Sequence, residues 1–350
     1  MHSVTISEAV KILSQKFLMQ EGIAGVSHRD VLIVYVESPE DLHKVPETIM
    51  GYRVEARVVG RIYALGALAR RAPERRVPER AGVGRALSGQ AIDKKARVRP
   101  VPGGVSCGHP DVTAGTASCW VYDSRTGGRL LLSNNHVIAA SNAARPGDPV
   151  VQPGRYDGGM VPDDVVAYLD RFVVIREPPD SNLVDAAVAR PAGPDVVSDE
   201  ILDVGSVTST ADAVVGVRVA KSGRTTCYTE GTVQDVNAAV KVHGYPWGYS
   251  IFEDQINTDR IVEPGDSGSL LIDASTKAAV GLVFAGSEEV GVANKISHVA
   301  RLLGISFAPA APPPPPTPPP RPPPPAMAAL ALIPAGLGLA LVTVATTARV

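Results

Sequence analysis

The spacing of apolar residues divides the chain into segments of unlike periodicity. In the first 22 residues, MHSVTISEAVKILSQKFLMQEG, Val10, Leu13 and Phe17 recur at helical spacing. Ser7 is the candidate N-cap of the amphipathic helix this predicts. Lys11, Gln15 and Lys16 interrupt its apolar residues, so no continuous signal-peptide core exists and no secretory signal is evident. Strand-like GIAGVSHR and DVLIVYVES follow, then helix-like PEDLHKVPETIMG and strand-like YRVEARVVGRI. Residues 1–66 therefore read as a small α/β N-terminal domain.

Residues 67–100 carry ARRAPERRVPER and DKKARVRPVPGG, whose charges and prolines deny them a packed core. A basic arm for phosphate or lipid is one reading. The Glu residues interleaved among the Arg favour a solvated linker. From 101 to 307 the pattern turns to many short strands with turn residues between them, among them ASCWVYD, GRLLLSNNHVI, LVDAAVAR, VGVRVAKSG, SLLIDAS and AAVGLVFAG. That spacing predicts a mainly β barrel or double barrel, closed by the helix-like KISHVARLLG ending at Gly304.

Two unlike tails follow. Residues 308–325, APAAPPPPPTPPPRPPPP, form a polyproline spacer, a surface suited to proline-recognition domains. Residues 326–348 carry no charge and are long enough to cross a bilayer as a helix, although Pro334 interrupts them. The alternatives are an Ala-rich tail or a helix docked elsewhere. With such an anchor and no N-terminal signal, the rest of the chain is expected in the cytoplasm, associated with the membrane.

Composition narrows the chemistry. Across 350 residues, 34 Lys and Arg nearly balance 36 Asp and Glu, so no nucleic-acid partner is expected. Three cysteines (Cys107, Cys119, Cys227) allow at most one internal bridge. No His/Cys/Asp cluster has metal-ligand spacing, and neither HExxH nor a glycine-rich phosphate loop occurs, so no metal or cofactor is expected.

The stretch EPGDSGSLLID runs a glycine-rich turn into an apolar strand and presents Ser267 as a candidate nucleophile. An alcohol near its free pKa needs a general base, usually imidazole, and a carboxylate to hold that imidazole's tautomer. Of seven histidines, His136 ends a strongly apolar strand in LLLSNNHVIAAS; His109 and His243 lie in loop-like sequence and His298 on the closing helix. SNLVDAAVARP places Asp185 within an apolar strand, where a buried carboxylate demands a partner. Asp163, Asp164 and Asp180 are weaker candidates.

The order His136, Asp185, Ser267 is that of the chymotrypsin type. LLSNNHVI, VDAAVAR and PGDSGS resemble the histidine, aspartate and serine motifs of that superfamily, and VAKSGRTTCYTEGTV resembles a stretch of the bacterial α-lytic protease and streptogrisin group. The resemblance spans residues 101–307. It implies two antiparallel six-stranded β-barrels with the active site between them, and a serine endopeptidase acting on proteins or peptides. It assigns Ser267 as nucleophile, His136 as base then acid, Asp185 as orienter, and the N–H groups of Gly265 and Ser267 as an oxyanion hole. It also implies that Lys221, in the basic position of that stretch, pairs with Asp266 behind the turn. Val137, Ala220 and Glu230 stand where such relatives carry bridging cysteines, so Cys119 lacks its usual partner and Cys107 is a possible substitute. Ser269 replaces the commoner glycine.

For the substrate pocket the resemblance points to Ile261, six residues before the serine, and to a wall at Phe284, Ala285 and Gly286. Without a charge at its base, such a pocket suits an apolar or small P1 side chain; Asp259 would enter it only if the loop were shifted. The N-terminal segment then takes the place of a pro-region. Two rivals stand beside the enzyme: a catalytically silent protease fold, and a membrane-anchored interaction module using the proline-rich tail.

Overall fold

The structure, a computed structural model, describes residues 5–66 and 92–309. Its first helix, Ile6–Phe17, is capped by Thr5 and not by Ser7. The Thr5 hydroxyl accepts from the Glu8 N–H at 3.3 Å while the Glu8 carboxylate accepts from the Thr5 N–H at 2.8 Å, a reciprocal cap. The Ser7 hydroxyl instead faces His28 Nε2 at 3.1 Å. Ala9, Val10 and Leu13 bury one helix face against Ile23, Val26, Leu32 and Val34.

Those last residues belong to the strands Ile23–His28 and Leu32–Val36, which pair antiparallel; Leu32–Val36 then pairs in parallel with Tyr52–Val58. The segment expected as a small domain, residues 1–66, holds this helix and these strands. The boundary expected there does not mark a separate body, because Ile23–His28 also pairs with Cys227–Tyr245, Gly25 opposite Val240. The sheet is continuous across that ladder, and the buried phenol of Tyr35 donates to Asp235 at 2.7 Å behind it. Both segments fall in one compact unit.

Six antiparallel strands form a closed ring: Arg218–Gly223, Cys227–Tyr245, Gly248–Asp259, Val290–Lys295, Ala279–Gly286 and Leu270–Asp273, the last pairing back with the first. N-terminal strands extend this sheet from the long Cys227–Tyr245 strand and Ser181–Asn182 joins it at Gly248–Asp259, giving eleven strands in the main order and a twelfth, Tyr63–Ala64, beside it. A second, six-stranded antiparallel sheet runs in the order Pro149–Val151, Val165–Phe172, Ala187–Pro191, Arg129–Ser133, Cys119–Asp123, Ile305–Ser306. The helix Ile296–Leu303 follows the last ring strand and buries Ile296, Val299 and Leu303 before Gly304 ends it in the left-handed region at φ 62°. That cluster joins residues of both sheets, Leu130 and Val188 from one and Leu270 and Leu282 from the other.

The expected linker is packed at its C-terminal end. Lys94 pairs with Asp203 at 2.6 Å, Arg97 with Asp164 at 3.0 Å, and Arg99 donates to the Gln152 carbonyl at 3.0 Å. Each base has found an oxygen of the β-rich segment, which a solvated linker would not provide. The rest of that linker, residues 67–91, the polyproline spacer 308–325 from residue 310 onward, and the uncharged segment 326–348 lie outside the described residues. Among the described residues no helix is long and apolar enough to cross a membrane.

The three cysteines are free thiols. Cys107 packs with Val137 and Trp120 while Cys119 packs with Leu130 and Leu132, in different clusters, so Cys107 does not replace the missing partner. Burial pushes both thiols up to about 12, and Cys227 is exposed.

Candidate active site

The turn that carries Ser267 is built on two glycines in the left-handed region, Gly265 at φ 101° and Gly268 at φ 94°. A Cβ on Gly268 would stand 2.1 Å from the Thr116 carbonyl oxygen, which itself accepts from the Ser133 hydroxyl at 2.8 Å. The turn therefore presses against the strand leading to His136. Thr116 N–H donates to the Ser267 carbonyl at 2.7 Å, and the Ser269 hydroxyl donates to the Asp266 carbonyl at 2.6 Å. Ser269 thus contributes a clasp that glycine at that position lacks.

Asp266 points away from the turn into the protein. It lies 3.2 Å from Lys221 Nζ, with both side chains fully buried. Its oxygens also accept from the backbone N–H groups of Thr225 (2.9 Å), Thr226 (3.2 Å) and Glu263 (3.0 Å) and from the Thr226 hydroxyl (2.7 Å). Burial lowers the Lys221 pKa, and Asp266 opposes that shift. Lys221 comes from the Arg218–Gly223 strand next to the strand that leaves the turn, so the pair ties two neighbours of the ring together.

His136 occupies the short helix Asn135–Ile138, immediately after the Arg129–Ser133 strand. Its Nε2 faces the Ser267 hydroxyl at 2.8 Å and its Nδ1 faces Asp185 Oδ2 at 2.5 Å. Asp185 Oδ1 accepts the His136 backbone N–H at 3.1 Å, so both carboxylate oxygens hold the same residue. A proton on Nδ1 shared with Asp185 leaves the Nε2 lone pair for the hydroxyl. Asp185 itself precedes the strand Ala187–Pro191 instead of lying within it, and its carbonyl accepts from Asn134 Nδ2 at 2.7 Å. The cost of burying this carboxylate is offset by its donors.

The structure thus brings together His136, Asp185 and Ser267, and separately Asp266 and Lys221. It also adds residues for which the sequence carried no signal. The Tyr245 phenol donates to Asp185 Oδ2 at 2.7 Å, and Asn294 Oδ1 accepts the Asp185 N–H at 3.0 Å while its amide donates to Gln255 at 2.7 Å. Burial, reinforced by the Asp185 charge, raises the Tyr245 pKa well above its ordinary value, so the phenol remains a donor.

The expected pocket residues divide. The Phe284 side chain turns into another core cluster, its ring 4.7 Å from that of Phe252, and only its carbonyl reaches the site, 3.1 Å from the Ser267 hydroxyl. Ile261 and Val262 share an apolar cluster with Leu65, and Val262 Cγ2 lies 2.8 Å from where a Cβ on Gly286 would stand. Asp259 is engaged elsewhere, accepting from the Thr232 N–H at 2.8 Å and the Gln234 amide at 2.6 Å. The Gly265 N–H does not point into an empty hole: it donates to the Leu65 carbonyl at 3.2 Å. Among the described residues no group of three or more His, Cys, Asp or Glu side chains is placed to hold a metal ion.

Residues 117–282 match the family model described as a trypsin-like peptidase domain. Solved structures similar to this chain include the Nocardiopsis protease, 18% identical with a TM-score of 0.43, covering 59% of this chain and 97% of that one. Thermobifida fusca protease A is 18% identical with a TM-score of 0.44, covering 60% and 98%. An α-lytic protease homologue is 22% identical with a TM-score of 0.43, covering 59% and 98%. Over that stretch the chain is similar to a trypsin-like peptidase domain, a match that supports a serine-type endopeptidase, and its fold is mainly β.

Proposed function

We propose that the chain hydrolyses internal peptide bonds of proteins or peptides through Ser267, His136 and Asp185, by way of an acyl-enzyme. The observation that carries this reading is the unbroken line from the Ser267 hydroxyl to His136 Nε2 at 2.8 Å and from His136 Nδ1 to Asp185 at 2.5 Å. His136 takes the hydroxyl proton as Ser267 attacks, then delivers it to the leaving amine. Asp185 keeps the ring turned and stabilises the imidazolium, with Tyr245 and Asn294 fixing Asp185. The N–H groups of Gly265 and Ser267 serve the oxyanion. We read the six-stranded sheet and the closed ring as the two barrels flanking this site.

Ile261, Val262 and the bare Gly286 support an apolar P1 side chain, and the engagement of Asp259 elsewhere argues against a cationic one. Labelling with a fluorophosphonate tests the nucleophile. Wild type takes the label and Ser267→Ala does not; a wild-type chain that never labels would make this a silent protease fold. The length and lack of charge of residues 326–348 support a membrane tether. Flotation of the full chain with liposomes, against a chain ending at 325, tests it.

A further inference from the structure

A backbone N–H aims only where its peptide plane lets it. In a trans peptide the N–H points opposite to the carbonyl of the preceding residue. The Gly265 N–H therefore shares a plane with the Pro264 carbonyl, and whatever holds that carbonyl aims the N–H. The holder is Thr225, whose hydroxyl donates to the Pro264 carbonyl at 2.8 Å. At the other end of the plane, the Gly265 N–H reaches the Leu65 carbonyl at 3.2 Å. Leu65 lies just past the short strand Tyr63–Ala64, which pairs antiparallel with Ala279–Gly286.

The direction of the Thr225 hydroxyl is itself set. Arg224 Nη1 lies 3.1 Å from Thr225 Oγ1, and a guanidinium can only donate, so the Thr225 proton is left for Pro264. Asp157 anchors that guanidinium from two sides, Nε to Oδ2 and Nη2 to Oδ1, both at 2.5 Å and with both side chains buried. The Ser106 hydroxyl donates to the same Oδ2 at 2.5 Å. The backbone of Arg224 repeats the device: its N–H donates to Thr116 Oγ1 at 3.0 Å, and the Thr116 hydroxyl donates to the Gly265 carbonyl at 2.9 Å. Gly265 is thus held by the carbonyls on both of its sides. A Cβ there would stand 2.4 Å from Thr225 Oγ1 and 2.7 Å from Arg224 Nη1, so the lock presses on the bare face of the glycine.

We propose that Thr225, directed by Arg224, is a positioning residue for the oxyanion donor at Gly265. The inference rests on the proposed function. Without a partner for the Pro264 carbonyl, the peptide before a glycine at φ 101° is free to turn over. It would then present a carbonyl, and not an N–H, to the developing negative charge. The Thr225 hydroxyl removes that freedom before substrate arrives. Its hydrogen bond also polarises the peptide and makes the N–H a better donor. The benefit falls on the transition state, because the N–H meets an oxyanion there and only a neutral carbonyl in the bound peptide.

The test compares full-chain wild type, Thr225→Val and Thr225→Ser by rate of fluorophosphonate labelling, by kcat and KM on a peptide carrying leucine at P1, and by thermal unfolding. Valine keeps the shape and removes the donor, whereas serine keeps the donor. The expected result is that valine lowers kcat and the labelling rate together, by roughly three- to tenfold, with KM little changed. Serine should stay near wild type. Arg224→Lys, which leaves Asp157 a cation, should show a smaller loss of the same kind. Combined with Thr225→Val it should be no slower than Thr225→Val alone, since both act through one hydroxyl. Wild-type kcat and labelling in a folded Thr225→Val, a change confined to KM, or serine as slow as valine overturns the inference and leaves the endopeptidase reading standing. Losses that multiply in the double variant overturn the part given to Arg224. If Thr225→Val does not fold, Arg224→Lys decides, and an unchanged kcat there overturns the inference. A wild-type chain that neither labels nor turns over the peptide overturns both.

Discussion

Tyr245 and His136 share one oxygen of Asp185: the phenol donates to Oδ2 at 2.7 Å, and His136 Nδ1 faces the same atom at 2.5 Å. The rings of Tyr245 and His136 also meet edge-on, with centroids 6.4 Å apart. Tyr245 is locked by stacking on Trp247, 5.5 Å between centroids, and on Phe252. The orientation of the candidate base therefore depends on an aromatic stack in the ring as well as on the carboxylate.

Replacing Tyr245 by Phe keeps the stack and removes the donor. A hydrogen bond to a charged group contributes about 1.5–3 kcal/mol, so peptide turnover should fall on the order of tenfold or more. The loss should appear in kcat with KM little changed, because Tyr245 touches Asp185 and not the P1 pocket. Steady-state kinetics of Tyr245→Phe beside wild type checks this; a rise confined to KM would refute the positioning role.

Lys221→Met should leave Asp266 buried with its hydrogen bonds from Thr225, Thr226 and Glu263 but no cation. Breaking a buried pair from one side costs about 3–5 kcal/mol. Urea unfolding should show a loss of that size, and activity should fall as the turn under Ser267 loosens. An unchanged midpoint would mean that the hydrogen bonds alone hold Asp266.

The buried thiols set an alkaline limit. Cys107 and Cys119 titrate near 12 in the fold against 9.0 for an ordinary thiol, so their raised values favour the folded chain below about pH 9. That contribution is lost as pH rises from about 9 toward 12, by about 1 kcal/mol per thiol near pH 10. Denaturation of wild type and of the Cys107→Ala/Cys119→Ala double variant at pH 8 and pH 10 should show a smaller pH difference in the variant. In the native chain only Cys227 should react with a thiol reagent, and all three should react in denaturant.

The P1 pocket should respond to Val262. Val262→Ala removes bulk beside Gly286 and should raise phenylalanine over leucine at P1 by several-fold, since a methylene-sized change in such a pocket is worth about 1–3 kcal/mol. A cleavage profile over a peptide library reads the ratio directly; an unchanged profile would place P1 elsewhere.

What the sequence made legible is local in origin. The turn around Ser267, the strand end at His136 and the lone carboxylate at Asp185 each stand out within a few residues, because a strained turn and a buried charge constrain their immediate neighbours. Tyr245 and Asn294 were invisible: they reach Asp185 across 60 and 109 residues, and nothing near them in the chain announces that contact. The same holds for Leu65, which looks like the end of an N-terminal unit until its N–H is found on the Phe284 carbonyl and its own carbonyl on the Gly265 N–H. Strands of residues 23–58 could be read from their alternation. Their union with the ring could not, because it depends on the register of the 19-residue strand Cys227–Tyr245.

The most direct measurement is hydrolysis of a peptide carrying leucine at P1, at concentrations that outcompete residues 62–65, by wild type, Ser267→Ala, His136→Ala and Asp185→Asn. The account predicts turnover by wild type, losses of about 10⁴-fold or more in the first two variants, and a loss on the order of 10³–10⁴ in Asp185→Asn. Turnover by Ser267→Ala at the wild-type rate would contradict it.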